Sequence, residues 1–176
     1  MKFFLCLSLL ILIVNACSQE SDQVTENSKV DVSNTTTYAA QMADLDKKLR
    51  SQPDDISLLL QSANLALENY DYPKALADAA RAFRLDSNKV ETKLIYALSI
   101  INKSNRSVSD IRRARGYFQN IIKEMPDNPK AMIGLANTYV LQQDFDEARN
   151  WIDKTLEIAP KFFDAHVLQG SIYKVL

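Results

Sequence analysis

The sequence has few of the residues from which reactive sites are built. Its 176 residues include one His, two Cys and one Trp. Catalytic and metal sites usually need several His, Cys and carboxylate side chains held close together, so we expect no enzymatic activity, no metal and no cofactor. The chain also has only 3 Gly and 5 Pro, which argues against a loop-rich all-β fold.

An excess of one charge is missing as well. The 21 Lys and Arg residues nearly balance the 22 Asp and Glu residues. Proteins that bind nucleic acid gain much of their affinity by neutralising phosphates, so nucleic acid is not an expected partner. Apolar residues make up 47% of the chain, which is enough for the core of one domain. This composition predicts an ordered helical protein that works through a binding surface.

The N-terminal segment has the features of an export signal. After Lys2, residues 3–14 are apolar apart from Ser8. This run has the length of a signal-peptide core and is too short for a membrane-spanning helix, which needs about 20 residues. It ends in Val14-Asn15-Ala16-Cys17, which resembles the bacterial lipobox.

The resemblance implies that residues 1–16 are a signal peptide and that Cys17 becomes the N-terminus, modified with diacylglycerol and palmitate. The protein would then be a lipoprotein of the bacterial cell envelope, anchored in the outer membrane and facing the periplasm, because Ser18 rather than Asp follows the Cys. The alternatives are a plain secretory signal with an incidental Cys and a retained membrane anchor. The rest of the segment 17–37 is polar, without aromatic residues, and is predicted to be a flexible tether.

Beyond the tether, several residue types recur with a period of 34 residues. Ala63 and Ala97 are 34 apart, as are Pro126 and Pro160. The same spacing relates Ala114 to Ala148, Ala136 to Gly170 and Tyr139 to Tyr173. One interval differs, since Ala136 follows Ala97 by 39 residues, so five extra residues lie in the middle unit, within residues 102–109. A fixed period of this length is typical of stacked helical hairpins.

These residues resemble the tetratricopeptide repeat (TPR) family over about residues 53–176. The resemblance implies an all-α solenoid of antiparallel helix pairs. We predict a TPR domain at 38–176, with a capping helix at 38–50, repeats at 56–89, 90–128 and 129–162, and a half-repeat at 163–176. The eight expected helices are 38–50, 55–69, 73–85, 89–103, 108–124, 129–142, 145–158 and 163–175.

In TPR proteins the first helix of each repeat lines a concave groove, which implies a binding surface here. The positions that match are mostly apolar, with isolated amides and hydroxyls, and would suit another protein's amphipathic helix or extended apolar segment. The alternative is that many of these side chains are core. The expected lining is Leu60, Asn64, Leu67, Leu94, Ile95, Leu98, Ile101, Ile133, Asn137, Val140, Leu141, Val167, Leu168 and Ser171.

Two further surfaces are candidates. A basic cluster in and after the insertion could contact anionic lipid or an acidic partner, or it could be a solvated helix face; it comprises Lys103, Arg106, Arg112, Arg113 and Arg115. Ser107 and Asp110 are spaced as in a helix-capping box. The last helix has apolar residues on several of its sides. It could therefore pack against a second copy of the chain, or it could be the end of the solenoid without any partner.

The leading functional hypothesis is a lipid-anchored envelope scaffold that binds a partner protein. It resembles repeat lipoproteins that assist pilus or secretin assembly. It also resembles the TPR domain of cytochrome c maturation factors, which holds apocytochrome. A structural homo-oligomer formed through the C-terminal helix is the third hypothesis.

Overall fold

A computed structural model describes residues 32–174, with side chains from residue 37 onward. The predicted signal peptide, the lipidation of Cys17 and most of the tether lie outside these residues. The described part contains eight helices and no strand: α1 (Val32–Ser51), α2 (Ile56–Glu68), α3 (Tyr72–Leu85), α4 (Val90–Asn102), α5 (Val108–Glu124), α6 (Pro129–Val140), α7 (Phe145–Ile158) and α8 (Phe163–Tyr173).

The helices form a TPR-type solenoid. Helices α2 and α3, α4 and α5, and α6 and α7 form antiparallel pairs, and each pair packs on the next. The first helices also contact one another in the order α2, α4, α6 and α8, which makes them the inner layer, while α3, α5 and α7 form the outer one. The predicted all-α fold of eight helices is confirmed.

Helix α1 caps the solenoid and begins six residues earlier than the predicted start at residue 38. From Tyr38 onward it belongs to the compact unit that contains the repeats. Residues 32–37 are polar or β-branched and have weak helix propensity. Extending a helix that packing has already nucleated costs little, however, and the sequence pattern did not show this.

Polar contacts hold the capping helix on the first repeat. The Tyr38 hydroxyl donates to Asp71 at 2.8 Å, and Lys74 pairs with Asp46 at 2.8 Å and with Asp78 at 3.2 Å. Burial, together with the hydrogen bond to Asp71, raises the pKa of Tyr38 to about 12. Apolar contacts complete the interface, because Met42 and Leu49 of α1 are buried in the core.

The helix starts follow from capping side chains. At four starts an Asp or Asn accepts a hydrogen bond from the backbone N–H three residues ahead, which satisfies a group that the helix leaves free. These carboxylates and amides are therefore structural. The caps are Asp55, Asp71, Asn128 and Asp144.

Small residues lie where the helices cross. Ala63, Ala97 and Ala136 on first helices are fully buried, and so are Ala75, Ala114 and Ala148 on second helices. A methyl group at a crossing lets the two backbones approach closely while larger neighbours interdigitate. The alanines therefore recur every 34 residues because the same helix crossing recurs in each repeat.

The five extra residues of the middle repeat divide between a loop and a helix. The loop between α4 and α5 comprises residues 103–107, against residues 69–71 in the first repeat. Helix α5 has 17 residues, whereas α3 and α7 have 14 each. The insertion thus adds two loop residues and nearly one helical turn at the start of α5.

Candidate functional site

The first helices enclose a groove on the inner side of the solenoid. Its volume is about 540 Å³, and it runs from the C-terminal parts of α2 and α4 to residues 130–137 of α6 and 164–171 of α8. The floor is apolar and includes Leu67, Leu98, Ile133 and Leu168, whereas charged and amide side chains lie among and around these residues. Such a mixture can bury an apolar segment and orient it by a few hydrogen bonds.

The structure brings together eight of the predicted lining residues. These eight come from all four first helices, so that each repeat contributes to one continuous surface. They are Asn64, Leu67, Leu98, Ile133, Asn137, Val167, Leu168 and Ser171.

Four other residues of the predicted lining lie in the core instead of the groove. Leu60, Leu94, Ile95 and Ile101 are at most 7% exposed and belong to the hydrophobic core. Helix α4 is covered on one side by the first repeat and on the other by the third, so little more than a narrow strip of it faces the groove. Apolar periodicity does not distinguish that strip from the two covered sides.

Val140 and Leu141 lie outside the groove lining. Both are partly buried, Val140 against the core shared by α6, α7 and α8, and Leu141 against the core around Phe118. They stand at the C-terminal end of α6, beyond residues 130–137 of that helix, which line the groove. The diagonal course of the groove, which is set by the superhelix, explains why they are left out.

Four groove residues occupy the same position in successive repeats. Asn64, Leu98, Asn137 and Ser171 follow one another at the repeat spacing of 34, 39 and 34 residues. Ser171 donates to the Leu168 carbonyl at 2.7 Å. Within residues 37–174, the side-chain amides of Asn64 and Asn137 have no hydrogen-bond partner. Each amide can both donate and accept, so the pair can bind the backbone of an extended chain.

Seven residues of the groove were not predicted from the sequence, and one of them is Gly134 in the middle of α6. The other six lie at helix ends and turns, outside the apolar stripe of the first helices, so periodicity gave no signal for them. They are Glu68, Tyr70, Tyr72, Asn102, Lys130 and Asp164.

Three residues of the predicted basic cluster are engaged around Asp110. Lys103 pairs with this carboxylate at 2.8 Å and Arg113 at 3.1 Å. Arg106 donates to the carbonyl oxygens of Ile101 and Lys103, both at 3.3 Å. These contacts hold the inserted loop against the start of α5.

Asp110 also completes the predicted capping box of α5. The backbone N–H and the hydroxyl of Ser107 donate to Asp110 at 2.8 Å each, and Ser107 accepts from the Asp110 N–H at 3.2 Å. The hydrogen bond from Lys103, followed by those from Ser107, holds the pKa of Asp110 well below its usual range. The capping box is confirmed.

Arg115 joins two repeats. Its guanidinium lies 4.1 Å from the ring centre of Tyr139 and donates to the Thr138 hydroxyl at 3.2 Å and to the Gln142 side chain. Arg149 lies 5.9 Å from the ring of Tyr173 in the same relation, one repeat later. The 34-residue spacing of these two arginines is the sequence signal of this repeated contact. Both pairs are cation–π contacts between consecutive repeats.

Arg112 is the exception in the basic cluster. It is exposed, and among the described residues its side chain has no ion pair or hydrogen bond. One unpaired cation is an ordinary feature of a solvated helix face. Arg112 is therefore the one member of the predicted cluster without a partner among the described residues, and the docking role of the cluster stays a prediction.

The inserted loop also borders a second cavity. This cavity of about 630 Å³ lies between α3 and residues 103–105. Leu76, Ala77 and Ala80 line it on α3, and Lys103 and Arg84 contribute the charges. Tyr72 lines both cavities, so the start of α3 separates them.

The described residues offer no site for metal chemistry. Across residues 32–174, no three His, Cys, Asp or Glu side chains come together in a way that could hold a metal ion. Among the helices described, none is long and apolar enough to cross a membrane.

The fold and the groove define a repeat scaffold of the protein-interaction type. The model of the tetratricopeptide repeat family matches residues 107–172. No curated protein matches the chain. The assignment of the chain to the class of protein-interaction scaffolds therefore rests on the family match and on the helical fold.

Solved structures support the fold. MamA has 18% identity and a TM-score of 0.59, with 80% of each chain covered. YrrB, a TPR protein with an unusual peptide-binding site, has 18% identity and a TM-score of 0.61, covering 77% of this chain and 68% of its own. A TPR protein from Parabacteroides merdae reaches a TM-score of 0.65 at 18% identity; 81% of this chain matches 54% of that one. At such identities the likeness establishes the fold alone.

Proposed function

We propose that the protein is a scaffold that binds a segment of another protein in the concave groove. The observation that carries the proposal is the row of Asn64, Leu98, Asn137 and Ser171, one residue per repeat, along an apolar floor. The free amides of the two Asn can pair with a peptide backbone, while Leu98 between them contacts apolar side chains. The peptide-binding site of YrrB, a protein of the same fold, supports this use of the repeats.

The spacing of the amides favours an extended segment. Neighbouring first helices pack about 8–10 Å apart, so Asn64 and Asn137, which are two repeats apart, are separated by roughly 16–20 Å. An extended chain rises about 3.3 Å per residue, and about five or six residues would therefore connect the two amides. A helix of the same length could not offer its backbone groups, since they are already paired within the helix.

Leu98→Glu is expected to weaken binding by about tenfold or more while the helical fold remains. The carboxylate would replace the apolar centre of the groove and would have to lose its water when the segment binds. A peptide selected from a displayed library against the purified chain serves as probe, and its affinity is measured by fluorescence anisotropy. Leu85→Glu is the control, because Leu85 is 43% exposed and lies outside the groove. Equal affinities of the wild type and Leu98→Glu would refute the groove.

We further propose that the scaffold acts at a bacterial envelope membrane through a lipid on Cys17. The support is the apolar run 3–14 followed by Val14-Asn15-Ala16-Cys17 and a polar segment. Stable anchoring needs two or more acyl chains, which a modified N-terminal Cys carries. Assembly of a pilus or secretion complex and the handling of an apocytochrome are the two settings for such a scaffold.

Replacing Cys17 by Ser is expected to abolish incorporation of a palmitate analogue and to leave the precursor uncleaved. The serine hydroxyl cannot form the thioether on which the lipid is built. Metabolic labelling followed by gel mobility measures both effects, and Cys6→Ser is the matched control because Cys6 lies within the predicted signal peptide. Undiminished labelling of Cys17→Ser would exclude this anchor.

A homo-oligomer formed through α8 is the second candidate. Phe163, Val167 and Tyr173 are 75%, 53% and 68% exposed on this helix. Gly170 takes the place of the fully buried Ala63, Ala97 and Ala136 of earlier repeats, and a Cβ there would meet no atom within 4 Å. A sedimentation coefficient that rises with concentration would support this candidate, and a constant one would reject it.

A further inference from the structure

We infer that the α2 end of the groove is a subsite for a basic side chain, Lys or Arg, of the bound segment. The subsite consists of Glu68, Tyr70 and Tyr72, which line the groove together. The inference rests on the proposed function, because it assigns a specificity to the same groove.

The backbone of Tyr70 is the first observation. Its φ is 61°, in the left-handed region where bulky residues are rare. Within residues 32–174, Gln143 is the other non-glycine residue with a positive φ, at 63°, and it takes the same turn position in the third repeat. The turn therefore imposes this conformation on whichever residue is there. Gly or Asn would adopt it more readily than Tyr.

Packing does not explain the aromatic residue either. The Tyr70 side chain is 77% exposed, so it contributes little to the core. Residues held in such a disfavoured backbone conformation cluster at ligand-binding sites, and the exposed ring of Tyr70 is open to an external contact.

The two tyrosines form an open aromatic corner. Their ring centres are 6.2 Å apart and the ring planes are nearly perpendicular, at 89°. Aromatic faces have a negative electrostatic potential that attracts ammonium and guanidinium groups. Tyr72 is half-buried at the start of α3, so it gives the corner a fixed wall, against which the more exposed Tyr70 can hold a cation.

Charge at this end favours a cation over an anion. Glu68 is exposed and, among the described residues, has no ion pair. It is the last residue of α2, where the helix dipole adds partial negative charge. The cation of the groove, Lys130, belongs to α6 and not to the turn that forms the corner.

The test uses a library-selected peptide that binds the groove, synthesised with Arg, citrulline or Glu at either end. Citrulline keeps the shape of Arg and removes its charge. For one of the two ends, we expect Arg to bind about tenfold tighter than citrulline, and Glu to bind more weakly still. We expect this preference to disappear in Tyr70→Gly and to shrink in Glu68→Gln. Tyr70→Phe should retain it, because the ring remains.

The variants separate the subsite from the groove and from folding. Gly suits the left-handed turn, so Tyr70→Gly is expected to fold, and Gln143→Gly is the matched control that should leave the preference unchanged. Equal binding of the Arg and citrulline peptides at both ends, with Leu98→Glu still disruptive, would overturn the subsite and leave the groove standing. Peptide binding that is insensitive to Leu98→Glu would overturn both.

Discussion

Gly134→Ala is expected to lower the free energy of unfolding by about 2 kcal/mol. A Cβ at this position would lie under 3.0 Å from three ring atoms of Phe118, whose side chain is fully buried. The ring cannot move away without opening the core between α5 and α6. Overpacking of this kind costs about 1–3 kcal/mol, more than the roughly 1 kcal/mol by which Ala favours a helix over Gly. Urea denaturation followed by circular dichroism measures the difference.

Gly116→Ala is the matched control and should have the opposite sign. Gly116 also lies inside a helix, but a Cβ there would meet no atom within 4 Å, so the variant should gain up to about 1 kcal/mol. Combining Gly134→Ala with Phe118→Leu should cost less than the sum of the two, because the smaller side chain makes room. A Gly134→Ala variant as stable as Gly116→Ala would show that the close crossing of α5 and α6 is wrong.

Asp110→Asn is expected to cost about 2–3 kcal/mol. The neutral amide loses the ion pairs with Lys103 and Arg113, and it keeps one acceptor for the two hydrogen bonds that Ser107 donates. Removing one member of a buried, hydrogen-bonded charge network leaves the others unpaired, and this is the costly case. Thermal and urea unfolding should both report the loss, together with faster amide exchange in residues 103–108.

The stabilisation by Asp110 has a definite pH dependence. Because the pKa of Asp110 is lowered in the folded state, its stabilisation is complete above the unfolded pKa of about 3.9 and is lost as the pH falls below that value. The stability difference between wild type and Asp110→Asn should therefore shrink as the pH falls below about 4. Asp127→Asn, at an exposed position without a hydrogen bond or ion pair among the described residues, should unfold like the wild type. A difference that is constant down to the lowest pH would contradict the assigned network.

Local sequence patterns predicted the helices well because helix formation depends mainly on nearby residues. Seven of the eight helices begin and end within two residues of their predicted bounds, since capping residues and apolar periodicity act over one or two turns. Small residues at a 34-residue spacing also predicted which helices cross. The start of α1 is the exception. Residues 32–37 have weak helix propensity, so their own sequence does not predict that the packed helix extends through them.

The groove was predicted only in part because its lining depends on the superhelix. Leu94, Leu98 and Ile101 look alike in a periodicity analysis, yet only Leu98 faces the groove. Which side of α4 remains open is decided by the neighbouring repeats, not by α4 itself. Contributions from turns, such as Tyr70, have no periodic signal at all.

The basic cluster shows a different limit of sequence reasoning. Five cations within residues 103–115 look like a surface for anions, but four of them have partners in the folded chain. Asp110 was visible in the sequence as a capping residue, and its second role as the counter-ion of the loop depends on how the insertion folds. Spacing across repeats, rather than local charge, would have identified the role of Arg115.

Photocrosslinking in living cells tests the central claim most directly. A photoreactive residue is placed at Leu98, at Asn137 and, outside the groove, at Leu85, and captured proteins are identified by mass spectrometry. The account predicts that both groove positions capture the same foreign protein, that Leu85 does not, and that the captured region is an extended segment with Lys or Arg near one end. Equal capture from all three positions, or crosslinks between copies of the chain alone, would contradict it.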